Sequence, residues 1–250
     1  MGLCHILRLA RLSVFQDKIT SLVLYGAPLS PFVRKADIVL REKGLEFESD
    51  PVNIMPMPDW FKAISPARRI PVLRNKAISE EETLGTIPDS SAICAYLERL
   101  QPEPSVYPSD PYLYGRAVWL EEYADTVLAS PMGMGIFRAI FFNLMRKKEP
   151  DLDTARKTWN EDLPPIFDYL EGELAGDQGS NEFLVGDSIS VADAAVMSML
   201  VQIELVAGVP DVSRWPLLVG FFEQMAARPS VQPTYAICKK IATKQFDLNA

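Results

Sequence analysis

Along the first hundred residues, apolar and polar positions alternate between two periods. "SLVLYG", from Ser21 to Gly26, is a short apolar run closed by Gly and Pro, the pattern of a buried strand. In "SPFVRKADIVLREKG", Phe32, Val33, Ala36, Val39 and Leu40 recur at helical spacing on one face, and Gly44 supplies a stop. "LEFESDPVN" then alternates Leu45, Phe47 and Ser49, so the opening segment predicts a βαβ unit with a crossover. "MPMPDWFKAIS" predicts a short irregular helix, and "RRIPVLRN" a third strand with Pro71 at its start, where a missing N–H does least harm. "KAISEEETLGTIP" predicts a fourth strand interrupted by an acidic turn, and "DSSAICAYLERL" a helix opened by good capping residues.

The pattern changes after "QPEPSVYPSDP", Gln101 to Pro111, whose prolines exclude regular structure and mark a linker. Beyond it, "YLYGRAVWLEEYADTVLA", "DTARKTWNEDLPPIFDYLEGELA", "SVADAAVMSMLVQIELVA" and "RWPLLVGFFEQMAARP" carry helical periodicity alone. The expected organisation is an N-terminal extension over 1–20, an α/β domain of βαβ-ββα order over 21–100, a linker over 101–111, and an all-α domain over 112–250.

Composition narrows the function classes. The 250 residues are 48% hydrophobic, enough for one large core or two modest ones, and no charge-poor run is expected to span a bilayer. With 25 Lys plus Arg against 33 Asp plus Glu, the formal charge of -8 disfavours nucleic acid and anionic lipid as partners. Three cysteines, Cys4, Cys94 and Cys238, lack metal-ligand spacing and form no disulfide framework, so a reducing cytoplasm is the expected location. The opening "MGLCHILRLARLSVFQDK" reads as an extension, with a targeting segment as the alternative. His5 stands alone at that far end, which removes Ser-His-Asp and Cys-His arrangements. Chemistry is left to hydroxyls, carboxylates, backbone amides or a borrowed reactive group.

Four landmarks in order then carry a family resemblance: Ser30-Pro31-Phe32 at the first helix, Ile70-Pro71 before the third strand, Asp89-Ser90 opening the next helix, and "FLVGDSISVADAAV" in the helical half. Taken singly, Ser30 before Pro31 is an ordinary helix start, Pro71 a strand opener, and Asp89 with Ser90 an ordinary cap. Together they resemble the cytosolic glutathione transferases of the serine type, with a tau-, phi- or zeta-like motif, over Ser21 to about Ser230. The resemblance implies a thioredoxin-like first domain followed by an all-helical one, with no tightly bound cofactor or metal and glutathione as co-substrate.

It also implies roles. Ser30 gives its hydroxyl proton to the glutathione sulfur, with Phe32 beside it. A cis Ile70–Pro71 bond presents the Ile70 main chain to the cysteinyl part, Asp89 and Ser90 hold the γ-glutamyl end, and Arg69, or its neighbour Arg68, meets the glycyl carboxylate. Asp89 departs from the Glu or Gln of many members. The second, hydrophobic substrate is assigned to Tyr112, Trp119, Tyr123, Met134 and Phe137, residues that fit a helix core equally well. Ser190 with Asp193 forms a capping box of structural role. The implied protein is a homodimeric detoxifying enzyme performing conjugation or peroxide reduction. A noncatalytic binding or interaction module, and a glutathione-dependent lyase, isomerase or dehalogenase, stay open beside it.

Overall fold

The computed structural model describes residues 21–176, 182–242 and 244–249. They fall into two compact units that meet in sequence between Pro104 and Ser105. The expected extension over 1–20, with Cys4 and His5, lies outside the described residues.

In the first unit, β1 (Leu22–Gly26) is followed by α1 (Pro31–Glu42), β2 (Phe47–Pro51), α2 (Asp59–Ile64), β3 (Val72–Asn75), β4 (Thr86–Pro88) and α3 (Ser90–Leu100). The strands form one sheet in the order β2-β1-β3-β4. β1 runs parallel to β2, as a helical crossover requires, and antiparallel to β3, which is antiparallel to β4. Alternation along β1 divides the core. Val23 and Tyr25 face a cluster with Val52, Phe61, Ile64 and Val72, where Tyr25 packs edge-on against Phe61 and Trp60. This mixed four-stranded sheet with its crossover helices is thioredoxin-like.

Two features depart from the pattern reading. The α1 pattern predicts one buried face, but every residue from Val33 to Leu40 is buried, Arg34, Lys35 and Asp37 included. Burial pushes the Asp37 carboxyl up in pKa, opposed by its hydrogen bond with Arg41. At the helix end, Lys43 places its buried ammonium among three acceptors: the Glu98 carboxylate at 2.6 Å, the Gln101 carbonyl at 2.8 Å and the Pro104 carbonyl at 3.0 Å. All three ammonium protons are thereby satisfied, and the segment leaving α3 is pinned to the end of α1.

In the second unit the described residues are helical: α4 (Pro111–Met145), α5 (Leu152–Lys157, continued by a wide turn over Thr158–Asp162), α6 (Pro164–Ala175), α7 (Val191–Ala207), α8 (Pro216–Ala226) and α9 (Gln232–Ile241). α4 opens at Pro111 with Asp110 as its N-cap, and its turns widen over Met132–Phe142. This run corrects the expectation that no segment could span a bilayer: by length and hydropathy α4 qualifies, with 39% of the qualifying window buried within the protein. Its buried residues, among them Leu120, Leu128, Ile136 and Ile140, face the packed interior.

α7 is buried from Val191 through Ile203, and its start is held by a carboxylate. Asp193 accepts from Ser190 N at 2.7 Å, Ser190 Oγ at 2.8 Å and Leu184 N at 2.8 Å. The Glu171 carboxylate of α6 caps α8 in the same manner, taking the Leu217 and Leu218 amides at 2.9 and 2.8 Å. Where α4 crosses the α5 turn, Gly135 meets Thr158 so closely that a Cβ would overlap the threonine side chain.

Two predictions follow from this packing. Gly135→Ala should destabilise the chain by about 1–3 kcal/mol through overpacking, read as a lower midpoint in denaturant unfolding. Burial pushes the Asp193 carboxyl up to about 6 from 3.8, against its three hydrogen bonds. A group raised in the folded state contributes stability below pH 3.8 and loses it as pH rises through about 6. The stability deficit of Asp193→Asn should therefore shrink between pH 4 and pH 7, by up to about 3 kcal/mol, in paired thermal unfolding experiments.

Candidate active site

Three chain segments reach the same end of the sheet because of strand register. Tyr25 pairs with Val72, and Val72 with Pro88, so the penultimate residue of β1 and the last of β4 flank the first residue of β3. With strands about 4.8 Å apart, the loop from Gly26 to Ser30, the Ile70–Pro71 bond and the Asp89-Ser90 turn emerge side by side. Asp89 N also bonds Pro71 O at 3.4 Å, joining two of the three directly.

Ser30 is the N-cap of α1, followed by Pro31 at the first helical position. Its oxygen accepts from Val33 N at 3.4 Å, and its own amide bonds Ala27 O at 2.9 Å. A hydroxyl that accepts a capping bond still holds its proton for donation, and this one stands at the positive end of a 12-residue helix. Phe32 is half-buried in the same first turn. Tyr25 lies on the opposite side of the sheet from Leu24, turned into the α2 cluster.

The Ile70–Pro71 bond is cis, as expected. Ahead of it, Ser65 Oγ accepts from Arg69 N at 3.0 Å and donates to Arg69 O at 2.7 Å, fixing that backbone while the Arg69 side chain stays exposed. Arg68 is also exposed and has a left-handed backbone, φ 54.

Asp89 caps α3 through Oδ1, which accepts from Ser91 N at 2.9 Å and Ala92 N at 3.3 Å. Its backbone sits at φ 83, a conformation that costs a non-glycine residue about 1–3 kcal/mol and clusters at functional sites. Ser90, the first helical residue, is buried, 4% exposed, at the positive end of α3. One further contact escaped the sequence reading: Lys35, wholly buried in α1, donates from Nζ to Ser91 Oγ at 3.1 Å. Its one sequence signal is a basic residue inside an otherwise apolar helical run.

In the helical unit, Tyr112, Trp119, Tyr123 and Met134 lie along α4, with Tyr112 the most exposed at 74%. Trp119 donates its indole N–H to Tyr169 OH at 2.8 Å, and Tyr123 packs on the Tyr169 ring at 4.6 Å. Arg116 pairs with Glu173 of the same helix, α6, as Tyr169. Burial, with a smaller contribution from Tyr169, raises the Tyr123 phenol pKa. Phe137 instead turns inward, 7% exposed, and stacks on Phe141. The five aromatic and methionine candidates thus do not converge on one patch within this unit.

Comparison with known proteins adds to this geometry. A glutathione S-transferase N-terminal domain profile matches residues 24–105, and a glutathione S-transferase C-terminal domain profile matches residues 135–234. Glutathione S-transferase 3 of Zea mays is 32% identical over 230 residues, covering 86% of this chain and 93% of that protein. The chain belongs to the glutathione S-transferase family. Among solved structures, a glutathione S-transferase from Rhodospirillum rubrum superposes with a TM-score of 0.74 at 25% identity, covering 85% of this transferase and 91% of that chain. FzlA from C. crescentus gives 0.76 at 25% identity, covering 86% and 92%.

The placement of Ser30 in this transferase depends on a close strand-helix approach. At Gly26 a Cβ would overlap a Val33 methyl group, so Gly26→Ala must push the first turn of α1 away from β1. It should lower stability by about 1–3 kcal/mol, measured by chemical denaturation.

Proposed function

We propose that this chain is a serine-type glutathione transferase that ionises the thiol of glutathione and presents it to a hydrophobic electrophile, by conjugation or peroxide reduction. The reading rests on one observation: the Ser30 hydroxyl, at the N-cap of α1, shares a sheet end with the cis Ile70–Pro71 bond and the α3 N-terminus.

Each residue takes a role from what it can donate or accept. The thiol proton leaves to solvent, Ser30 keeps its own proton and donates a hydrogen bond through it to the thiolate sulfur, and the α1 dipole favours the same negative charge. Near a helix N-terminus with donors in place, a thiol of pKa about 8.5 falls to about 3.5–7.5, so the tripeptide is largely thiolate at neutral pH. Ser30 forms no bond to carbon, and with no sulfur of its own it forms no mixed disulfide. The Ile70 main chain faces the cysteinyl part. Ser90, with its amide at the α3 N-terminus, holds the γ-glutamyl carboxylate, and Asp89 retains Oδ2 for the adjoining ammonium while Oδ1 caps the helix. Arg69, exposed beside the site segment, meets the glycyl carboxylate, and Phe32 packs beside the thiol. Tyr112, Trp119, Tyr123 and Met134 are among the exposed or half-exposed apolar side chains of α4 available to an apolar substrate, whereas Phe137, the fifth candidate, is buried.

A homodimer in a reducing, cytoplasmic setting completes the proposal, the latter supported by Cys94 and Cys238, both buried and not joined to each other in a disulfide. We assign the linker to 101–111, its last residue opening α4, with the glutathione-binding domain over 21–100 and the helical domain over 112–250, and invoke no nucleic acid or membrane partner.

Ser30→Ala tests the chemistry. A hydrogen bond to a charged group is worth about 1.5–3 kcal/mol, so kcat should fall roughly 10- to 100-fold with a model electrophile. The thiolate absorbance of bound glutathione should appear only at higher pH. Unchanged turnover in the alanine variant overturns the mechanism.

A further inference from the structure

Two helix ends carry the proposed site, and one buried cation connects them. Lys35 belongs to α1, five residues beyond Ser30, about 7.5 Å along the axis. Helical side chains lean toward the N-terminus, so its long side chain points back toward the Ser30 end. Its Nζ donates to Ser91 Oγ at 3.1 Å, and the Ser91 amide in turn donates to Asp89 Oδ1 at 2.9 Å. The connection therefore runs from the thiol-activating helix, through Lys35 and Ser91, to the residue that caps α3 and to Ser90 beside it. Lys35 is wholly buried, and a charged tie is stronger than a neutral one when water is excluded.

We infer that Lys35 is a positioning residue for glutathione: it fixes the distance between the hydroxyl that holds the sulfur and the turn that holds the γ-glutamyl carboxylate. Its charge adds to the positive ends of both helices and favours the two anionic groups of the tripeptide together. This inference rests on the function proposed above.

The experiment compares Lys35→Met, Lys35→Arg and Ser91→Ala with the wild-type chain, measuring KM for glutathione, kcat and the pH dependence of thiolate absorbance. Loss of a charge-assisted bond predicts a KM raised about tenfold in Lys35→Met, with thiolate formation displaced to higher pH. Arginine should recover part of both effects. Ser91→Ala, which keeps the charge, should raise KM while leaving thiol ionisation near the wild-type pH. A merely structural lysine would lower Tm and leave KM and the pH profile of the folded protein unchanged; that result overturns the inference while the proposed function stands. If Lys35→Met does not fold, an unchanged KM in Ser91→Ala overturns it equally. A wild-type chain that fails to bind glutathione at all overturns both.

Discussion

The register of three strands is the constraint on which the candidate site depends. Tyr25, Val72 and Pro88 stand in one row across the sheet, and the three loops that leave this row carry Ser30, Ile70 and Ser90. Tyr25 and Val72 are 47 positions apart along the chain, yet backbone pairing sets them about one strand spacing apart. A slip by one residue would send Val72 to the opposite face of the sheet, out of its cluster with Tyr25 and Phe61, and move the Ile70–Pro71 bond along the sheet, away from the other two. Both faces of β1 and β3 are buried, so the fit of each face to its own neighbours, rather than burial alone, holds the register that aligns the functional end.

That end draws positive character from the backbone as well as from the exposed Arg68 and Arg69. Two helices start there, each with orphan amides and a partial charge of about half a unit, and hydroxyls cap or adjoin both. Such a site suits a peptide whose thiol lies within a few bonds of a carboxylate, and it leaves the overall acidic charge of the chain unaffected. Asp89 shows how tightly this end is specified: a non-glycine residue is held at φ 83 by its cap bonds and by Pro71 O.

The helical unit solves a different problem, packing long apolar helices without leaving polar ends unpaired. Carboxylates do much of this: Glu171 of α6 takes the first amides of α8, and Asp193 in the first turn of α7 takes those of Ser190 and Leu184. Gly135 lets α4 approach Thr158 at a crossing where any side chain would separate the helices. On the outer side of α4, Trp119 and Tyr123 join Tyr169 of α6, so residues that resemble a substrate wall along the sequence also serve as helix-to-helix ties.

The amino-acid sequence by itself determined what depends on near neighbours. Strand and helix periods, proline and glycine stops, the Ser30 and Asp89 caps and the Ser190-Asp193 box are all local, and each could be placed before any tertiary contact was known. Tertiary structure alone decided what depends on distant parts of the chain meeting. It buried α1 on nearly all sides rather than one, brought Lys35 to Ser91 and Lys43 to Pro104, and turned Phe137 inward while Tyr112 stayed in solvent. It also packed one side of α4, which among the described residues is the run apolar and long enough to be taken for a membrane span, into the protein interior. The division has a physical cause: hydrogen bonds within a turn or cap join residues a few positions apart, whereas burial and side-chain ties join residues whose proximity exists only after the chain has folded.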